Sequence, residues 1–513
     1  MKGESMIQNE IGWIKKVLRV CAHIEEYSSM ERQIVFEDIN NEYRAFTDAQ
    51  YINIKNILLS QLTAEDLIYV LSILYQNSDA NQWLAFIIEV SNKLNLDIFQ
   101  RSMLELQFKM TENCSSIDCL MKYHRKTVEL WEDKIPIPNS YQPIEQRNAK
   151  RVVIVTEQLL RYEQHAPTKV ILDMAYLLQK KMGYSVLIMT FPSNISNMIP
   201  IWYNAQRMLS LEDYNYSPIA REYKGETFWG YQTGMESMNI RDYSLALSYI
   251  LEWNPLFVYS FGAVNPVVDL LTRYTTVVAQ SMSTKLPVSI AQILISLEDE
   301  KKLSLEDGQK IVKFNRKPVY FEKEKRIHTR REYGLPENRF MCVIVGNRLE
   351  TDVDEAFIEM INQLCIKMNN IAFVFIGKIG MKQEELKDKI PNAQMYFVDY
   401  CDDLLGIYKI MDLYINPKRQ GGGYSAAMAI AAGLPVVTCD YGDVAYHVGQ
   451  DFVVPDYEKM KQEIICYASN SVYKKEKINQ AKEHAKYMTE DSMYQVMEEN
   501  MKRLIDEVMS TNK

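Results

Sequence analysis

The spacing of apolar positions divides the chain into one helical stretch and two series in which strands alternate with helices. From Met1 to about Lys134 the apolar residues recur at helical intervals. Tyr51, Ile54, Leu58 and Leu62 form one stripe, and Leu67, Val70, Leu71 and Leu74 form another. Thr63-Ala-Glu-Asp reads as an N-cap with acids in the first turn, and Asn92-Lys-Leu-Asn with Asp97 as a helix junction. No glycine lies between Gly12 and Gly183, which argues against strands joined by tight turns. The proline-punctuated connector Ile135-Pro-Ile-Pro-Asn-Ser-Tyr-Gln-Pro then marks a domain boundary.

Beyond it the period changes. Short β-branched runs at Val152–Thr156, Ser185–Thr190, Leu256–Tyr259 and Thr275–Ala279 predict strands, with a helix over Lys169–Lys181. Strands that alternate with helices form parallel sheets with helical crossovers. Tyr203–Gly234 is irregular and aromatic and predicts an antiparallel insertion. Glu298–Tyr333 is highly charged and reads as an interdomain passage. A second series follows at Phe340–Val345, Ala372–Ile376, Gln394–Val398, Leu413–Asn416, Val436–Thr438 and Phe452–Val454, and Tyr457–Met509 is helical. The predicted organisation is α/β: an all-helical domain (1–145), a Rossmann-like domain (150–325), a second one (326–485) and a C-terminal helix (486–513).

The densest chemical signal is Tyr414–Asp440. A strand ends at Pro417, Lys418 and Arg419 follow, and Gly421, Gly422 and Gly423 open an alanine-rich helix that stops at Gly433-Leu434-Pro435. A glycine loop entering a helix offers backbone N–H groups and the positive end of the helix dipole, and the missing side chains let a diphosphate approach. The Walker pattern is excluded, because Gly-Tyr-Ser stands where Gly-Lys-Ser/Thr is needed. The dinucleotide fingerprint is excluded as well, because the glycines are contiguous and late in the chain. For three bare glycines a turn without ligand is the better reading; two flanking cations and the following helix reverse it.

The layout Asp412-Leu-Tyr-Ile-Asn-Pro, glycine loop, small-residue helix and Gly-Leu-Pro-Val-Val resembles the donor-binding half of GT-B nucleotide-sugar glycosyltransferases, most of all bacterial enzymes with NPKR-GGG-type loops. The resemblance spans roughly Arg151 to Asp456 and is strongest over Val343–Asp443. It implies two Rossmann-like domains facing a cleft. It also implies a donor diphosphate held by Gly421, Gly422, Gly423, Tyr424 and Ser425 with Lys418 and Arg419 beside it. The implied substrate is a nucleotide-sugar, UDP-linked, with no separate cofactor; the implied acceptor is a glycan or protein.

Further candidates sit at strand ends, where open α/β sheets bind ligands. Gly346-Asn347-Arg348 follows an apolar strand, and a guanidinium there can grip a diphosphate with a planar fork of donors. The resemblance gives Arg348 that role, with Asn347 beside it. Gly377 and Val398 end the next two strands, and the loop after Val398 receives the nucleobase by the same likeness. Asp402-Asp403 reads as a helix N-cap. Asp443 is a candidate for a donor hydroxyl. His165, at a loop-to-helix entry beside Pro167 and Thr168, is the candidate catalytic residue, as a base on the acceptor or a donor to phosphate or sugar. Asp173, on the same helix, reads as a surface or capping residue.

Composition narrows the classes. The net charge of −9 gives no general attraction to nucleic acid or anionic membrane. The eight cysteines form no CxxC pair, and several sit inside apolar runs as reduced, buried thiols. Histidines lack metal-ligand spacing, so no metal site is expected. No signal peptide is visible and no apolar run reaches the ~20 residues of a membrane span, so a cytoplasmic location is expected.

The chain departs from the resembled pattern in several respects. The lysine that often follows the Arg348 position is missing, Tyr424 stands where a small hydroxyl residue usually follows the glycines, and Ser260-Phe-Gly-Ala-Val-Asn265 has only one glycine. Related retaining enzymes carry two glutamates eight residues apart, the second on the ribose, where this chain has Gln420 and Met428. The Asp352-Val-Asp354 match to a metal-binding DxD lies on a helix start and is not in usable form. The alternative to an active transferase is a non-catalytic GT-B-like protein that serves as partner or chaperone of an active glycosyltransferase.

Overall fold

The computed structural model describes residues 2–511 except 24–25, 28, 64–65, 68–69, 71–87, 111–116, 158, 161–164, 192–218, 234–239, 263, 283–285, 298–307, 322–323, 381, 391–393, 400 and 420. Two compact units result, Met1–Phe314 with Met501–Lys513, and Asn315–Asn500.

The first unit begins with the helices Lys2–Ala22, Ser29–Arg44, Asp48–Gln61, Ile98–Met110 and Ile117–Glu132. The predicted stripe holds where it is described: Ile54 and Leu58 are fully buried and join Trp13, Val17, Ile39, Tyr43, Leu104 and Phe108 in one core. Leu71 and Leu74 of the second stripe lie outside the described residues. Thr47 and Gln50 close a reciprocal capping box at the start of Asp48–Gln61, which satisfies backbone donors the helix itself cannot. Val264 and Val288, from loops of the following sheet, belong to the same core, so the helices pack directly on the α/β part of their unit.

That part holds strands β1 (Asn148–Thr156), β2 (Ser185–Thr190), β3 (Ile219–Tyr223), β4 (Glu226–Gln232), β5 (Pro255–Phe261), β6 (Val277–Gln280), β7 (Ile293–Ser296) and β8 (Lys310–Lys313). Their order is β3-β4-β2-β1-β5-β6-β7-β8, parallel except for the β3–β4 pair. β3 and β4 are the described part of the expected antiparallel insertion. β8 falls in the stretch read as a charged passage. Its Lys-Ile-Val-Lys carries little apolar signal, and pairing with β7 at the sheet edge supplies the order that its composition does not.

The second unit contains β9 (Phe340–Val345), β10 (Ile371–Ile376), β11 (Met395–Val398), β12 (Leu413–Asn416), β13 (Val436–Cys439) and β14 (Val453–Val454), all paired in parallel in the order β11-β10-β9-β12-β13-β14. β9, β10, β12 and β13 are buried along their whole length, as continuous apolar runs in a sheet covered on both faces must be. Asp412 fixes the start of β12. One carboxylate oxygen accepts from the Arg330 guanidinium and the Met341 amide, each at 2.8 Å, and the other accepts from Lys474. The helices Tyr457–Ser469 and Ser471–Ala485 pack on this unit. The last helix, Glu490–Ser510, starts in the second unit, and its residues from Met501 belong to the first. Asn315 and Asn500, where the chain enters and leaves the second unit, exchange two hydrogen bonds of 2.8 and 2.6 Å.

Candidate functional site

The second sheet grows from β9 through β10 to β11 on one side, then restarts with β12 on the other side of β9. The carboxyl ends of β9 and β12 therefore flank a topological switch point, where adjoining loops part and leave a crevice. Two of the predicted loops meet there, Gly346-Asn347-Arg348 after β9 and Pro417–Gly423 after β12.

Gly421 and Gly422 have φ of +84° and +94°, in the left-handed region where a side chain is strained. Gly422 is the N-cap of helix Gly423–Ala431, so that helix directs its dipole at the loop. The Arg348 side chain is 56% exposed, and its Nη2 lies 3.2 Å from where a Cβ on Gly421 would stand. An accessible guanidinium and the triglycine turn thus lie side by side. Gly377, with φ of +111°, is pressed against the Gly346 carbonyl, and a Cβ there would come 3.6 Å from Asn347 Oδ1. Its amide donates to the Val398 carbonyl at 2.9 Å, which joins the loops after β10 and β11 to the same edge.

The remaining candidates are placed as follows. Lys418 is exposed. Its amide donates to the Tyr457 hydroxyl at 2.7 Å, and its Nζ lies 5.2 Å from the Tyr441 ring centroid. The Tyr424 ring packs edge-on against Phe321, with centroids 4.8 Å apart. The Ser425 hydroxyl donates to the Gly422 carbonyl at 2.9 Å and meets the Tyr414 hydroxyl at 3.0 Å, so it braces the helix start. Asp443 is in the first turn of helix Gly442–Val448; its side chain, like Gln420 and Tyr400, lies outside the described residues. Met428 is half-buried and packs against the unit's apolar core.

Arg419 differs from the expectation of a cation facing the diphosphate. Its side chain is only 3% exposed. Nε donates to Asn416 Oδ1 at 3.0 Å, Nη2 to the Val345 carbonyl at 2.7 Å, and Nη1 pairs with Asp352 Oδ2 at 3.2 Å. The acceptors at the strand ends draw the guanidinium inward beneath the loop. Sequence reading missed Asp352 in this role; the only signal was its spacing, one helical turn beyond Arg348. Asp354 caps helix Glu355–Lys367 by accepting from the Phe357 amide at 2.7 Å and also accepts from Tyr457. Both acids of the DxD match therefore have structural partners, and among the described residues no cluster of His, Cys, Asp and Glu is suited to hold a metal. Asp403 caps helix Leu404–Tyr408 as expected.

In the first unit, His165 is the N-cap of helix Ala166–Tyr176. Its Nδ1 lies 2.9 Å from the Thr168 hydroxyl and 3.4 Å from the Thr168 amide, which donates to it. That pattern assigns the ring proton to Nε2. Burial pushes the pKa of the ring below its ordinary value, which favours the neutral form. With Nδ1 engaged by Thr168, the neutral ring carries its proton on Nε2. Asp173 is not a surface residue: it is buried and accepts from the Tyr223 hydroxyl at 2.7 Å, with Lys169 and Lys224 nearby, because the β3–β4 hairpin covers it.

Residues 339–470 match the family described as glycosyl transferases group 1. The match covers β9 to the end of helix Tyr457–Ser469 and contains both loops of the switch point. A mutant of the Thermobaculum terrenum O-GlcNAc transferase superposes with a TM-score of 0.55 at 10% identity, covering 100% of both chains. An alpha,alpha-trehalose-phosphate synthase (UDP-forming) from Burkholderia vietnamiensis superposes with a TM-score of 0.50 at 9% identity, covering 71% of this chain and 98% of the other. No curated protein sequence matches. The fold is of the α/β GT-B class, and residues 339–470 of the second unit are similar to the group 1 glycosyl transferases.

Proposed function

We propose that the switch point of the second unit binds the diphosphate of a UDP-linked sugar, and that the chain transfers this sugar to a glycan or protein acceptor. The observation that carries this reading is the exposed Arg348 guanidinium lying against Gly421 at the mouth of a helix N-terminus. Negative charge develops on the diphosphate as the glycosidic bond to the sugar breaks. The Arg348 guanidinium, the dipole of helix Gly423–Ala431 and the exposed Lys418 stabilise that charge electrostatically. The nucleobase is assigned to the loop after Val398, and a donor hydroxyl to Asp443. Neither a resident cofactor nor a metal is part of the reading. The free cysteines among the described residues accord with a reducing, cytoplasmic setting.

Calorimetric titration with UDP tests the donor site. The intact chain is expected to bind in the micromolar range, and Arg348→Ala to weaken binding roughly 10- to 150-fold, the loss of one charge-assisted contact of about 1.5–3 kcal/mol. Binding unaffected by Arg348→Ala would remove the reading's main support. One observation favours a second reading, a non-catalytic partner of another glycosyltransferase. Met428, half-buried against the core, offers no carboxylate to a ribose. Absence of nucleotide binding together with stable association with an active transferase would decide for that reading.

A further inference from the structure

We propose that Arg419 and Asp352 form a buried clamp that positions the two donor loops without touching the donor. This rests on the donor reading above and gives that site a support nothing else assigns.

A single guanidinium spans the switch point. It takes an acceptor from the end of β12, Asn416 Oδ1 at 3.0 Å, and another from the end of β9, the Val345 carbonyl at 2.7 Å. Strands on either side of a crevice have no ladder beyond their ends to hold their loops in register; Arg419 supplies that link. The loops then lie directly on it. A Cβ on Gly422 would stand 2.7 Å from Nη2, and one on Gly346 would collide with Nη1. Glycine at both positions lets the backbone rest on the guanidinium plane.

Asp352 completes the clamp from the short helix Leu349–Asp352. One carboxylate oxygen holds Arg419 Nη1 at 3.2 Å, and the other faces Arg348 Nη2 at 3.9 Å. Arg419 and Asp352 are 3% and 12% exposed, against 56% for Arg348. The buried pair therefore sets the turn from which the exposed arginine reaches its ligand. A lysine carries one ammonium and cannot meet three acceptors in a plane, so charge alone cannot replace the fork.

The test is a set of UDP titrations on the full chain with a thermal melt of each variant. Arg419→Lys is expected to melt cooperatively and bind UDP at least tenfold more weakly. Asp352→Asn, which strands the buried cation, is expected to weaken UDP about fivefold with Arg348 present and less than twofold in the Arg348→Ala background. A purely structural role would give the same fold-change in both backgrounds, and that result would overturn the clamp. So would Arg419→Lys binding as tightly as the parent. Should Arg419→Lys not fold, the Asp352 and Arg348 cycle decides alone. Failure of the parent to bind UDP would overturn the donor reading and the clamp together; failure of the variants to differ would overturn only the clamp.

Discussion

Gly422 is held by two separate constraints, a φ of +94° and the Arg419 guanidinium 2.7 Å from its missing Cβ. Gly422→Ala is expected to cost roughly 1–2 kcal/mol for the left-handed backbone alone, with more added where the methyl meets the guanidinium. A lowered urea midpoint with an unchanged slope would show it, and an unchanged midpoint would contradict the geometry. His165 makes a proton prediction of the same scale. Its folded pKa lies below the ordinary ~6.5 because the ring is partly buried. The unfolded chain therefore takes up the proton first, and stability falls as pH drops below about 6.5 toward the lower folded value. Proton or nitrogen NMR of the ring is expected to show titration below 6.5 with the neutral Nε2–H form above it. A ring that titrates above about 6.5 would contradict the burial argument.

Elements of the first unit are joined by a charged contact that its sequence does not announce. His124, on helix Ile117–Glu132, is fully buried between Glu105 of helix Ile98–Met110, at 2.6 Å, and Asp269 of the short helix Pro266–Asp269, at 2.7 Å. Asp269 also accepts from the Ser289 hydroxyl and the Ile290 amide. Burial alone would push the imidazole pKa down, but Glu105 and Asp269 outweigh it and raise it to about 10. The ring is charged in the folded protein, so its contribution is fully present below about pH 6.5 and is lost as pH rises through about 10. His124→Ala leaves two buried carboxylates facing each other and is expected to cost about 3–5 kcal/mol. A urea midpoint that is high near pH 6 and falls toward pH 10 in the parent, but not in the variant, would confirm the link. Parallel profiles would refute it. The elements themselves were largely legible, since Ser185–Thr190, Phe340–Val345 and Leu413–Asn416 coincide with their strands. β8 was not legible, because its Lys-Ile-Val-Lys is ordered by pairing at the sheet edge, and β7, a buried Ile-Leu-Ile-Ser, carried an apolar signal that the sequence reading missed.

Across the whole molecule, sequence picked out the loops that meet at the switch point and missed what holds them. Arg348, Gly377 and the triglycine turn could be placed because they directly follow apolar runs that read as strands, where open α/β sheets bind ligands. The inward turn of Arg419 could not, since it depends on a carbonyl of Val345 and a carboxylate of Asp352 that only the β9–β12 adjacency brings near. The same holds for His124, which meets Asp269 across 145 residues of chain. Periodicity reports which face is buried, not which distant polar group will be there. On the proposed reading, the switch point of the second unit holds a pyrophosphate. A crystal structure of the full chain with UDP tests it most directly. The expected result is the diphosphate over Gly421–Gly423 with the Arg348 guanidinium in hydrogen-bond contact and Arg419 unmoved beneath the loop. Diphosphate density elsewhere, or an empty loop in crystals grown at saturating UDP, would contradict it.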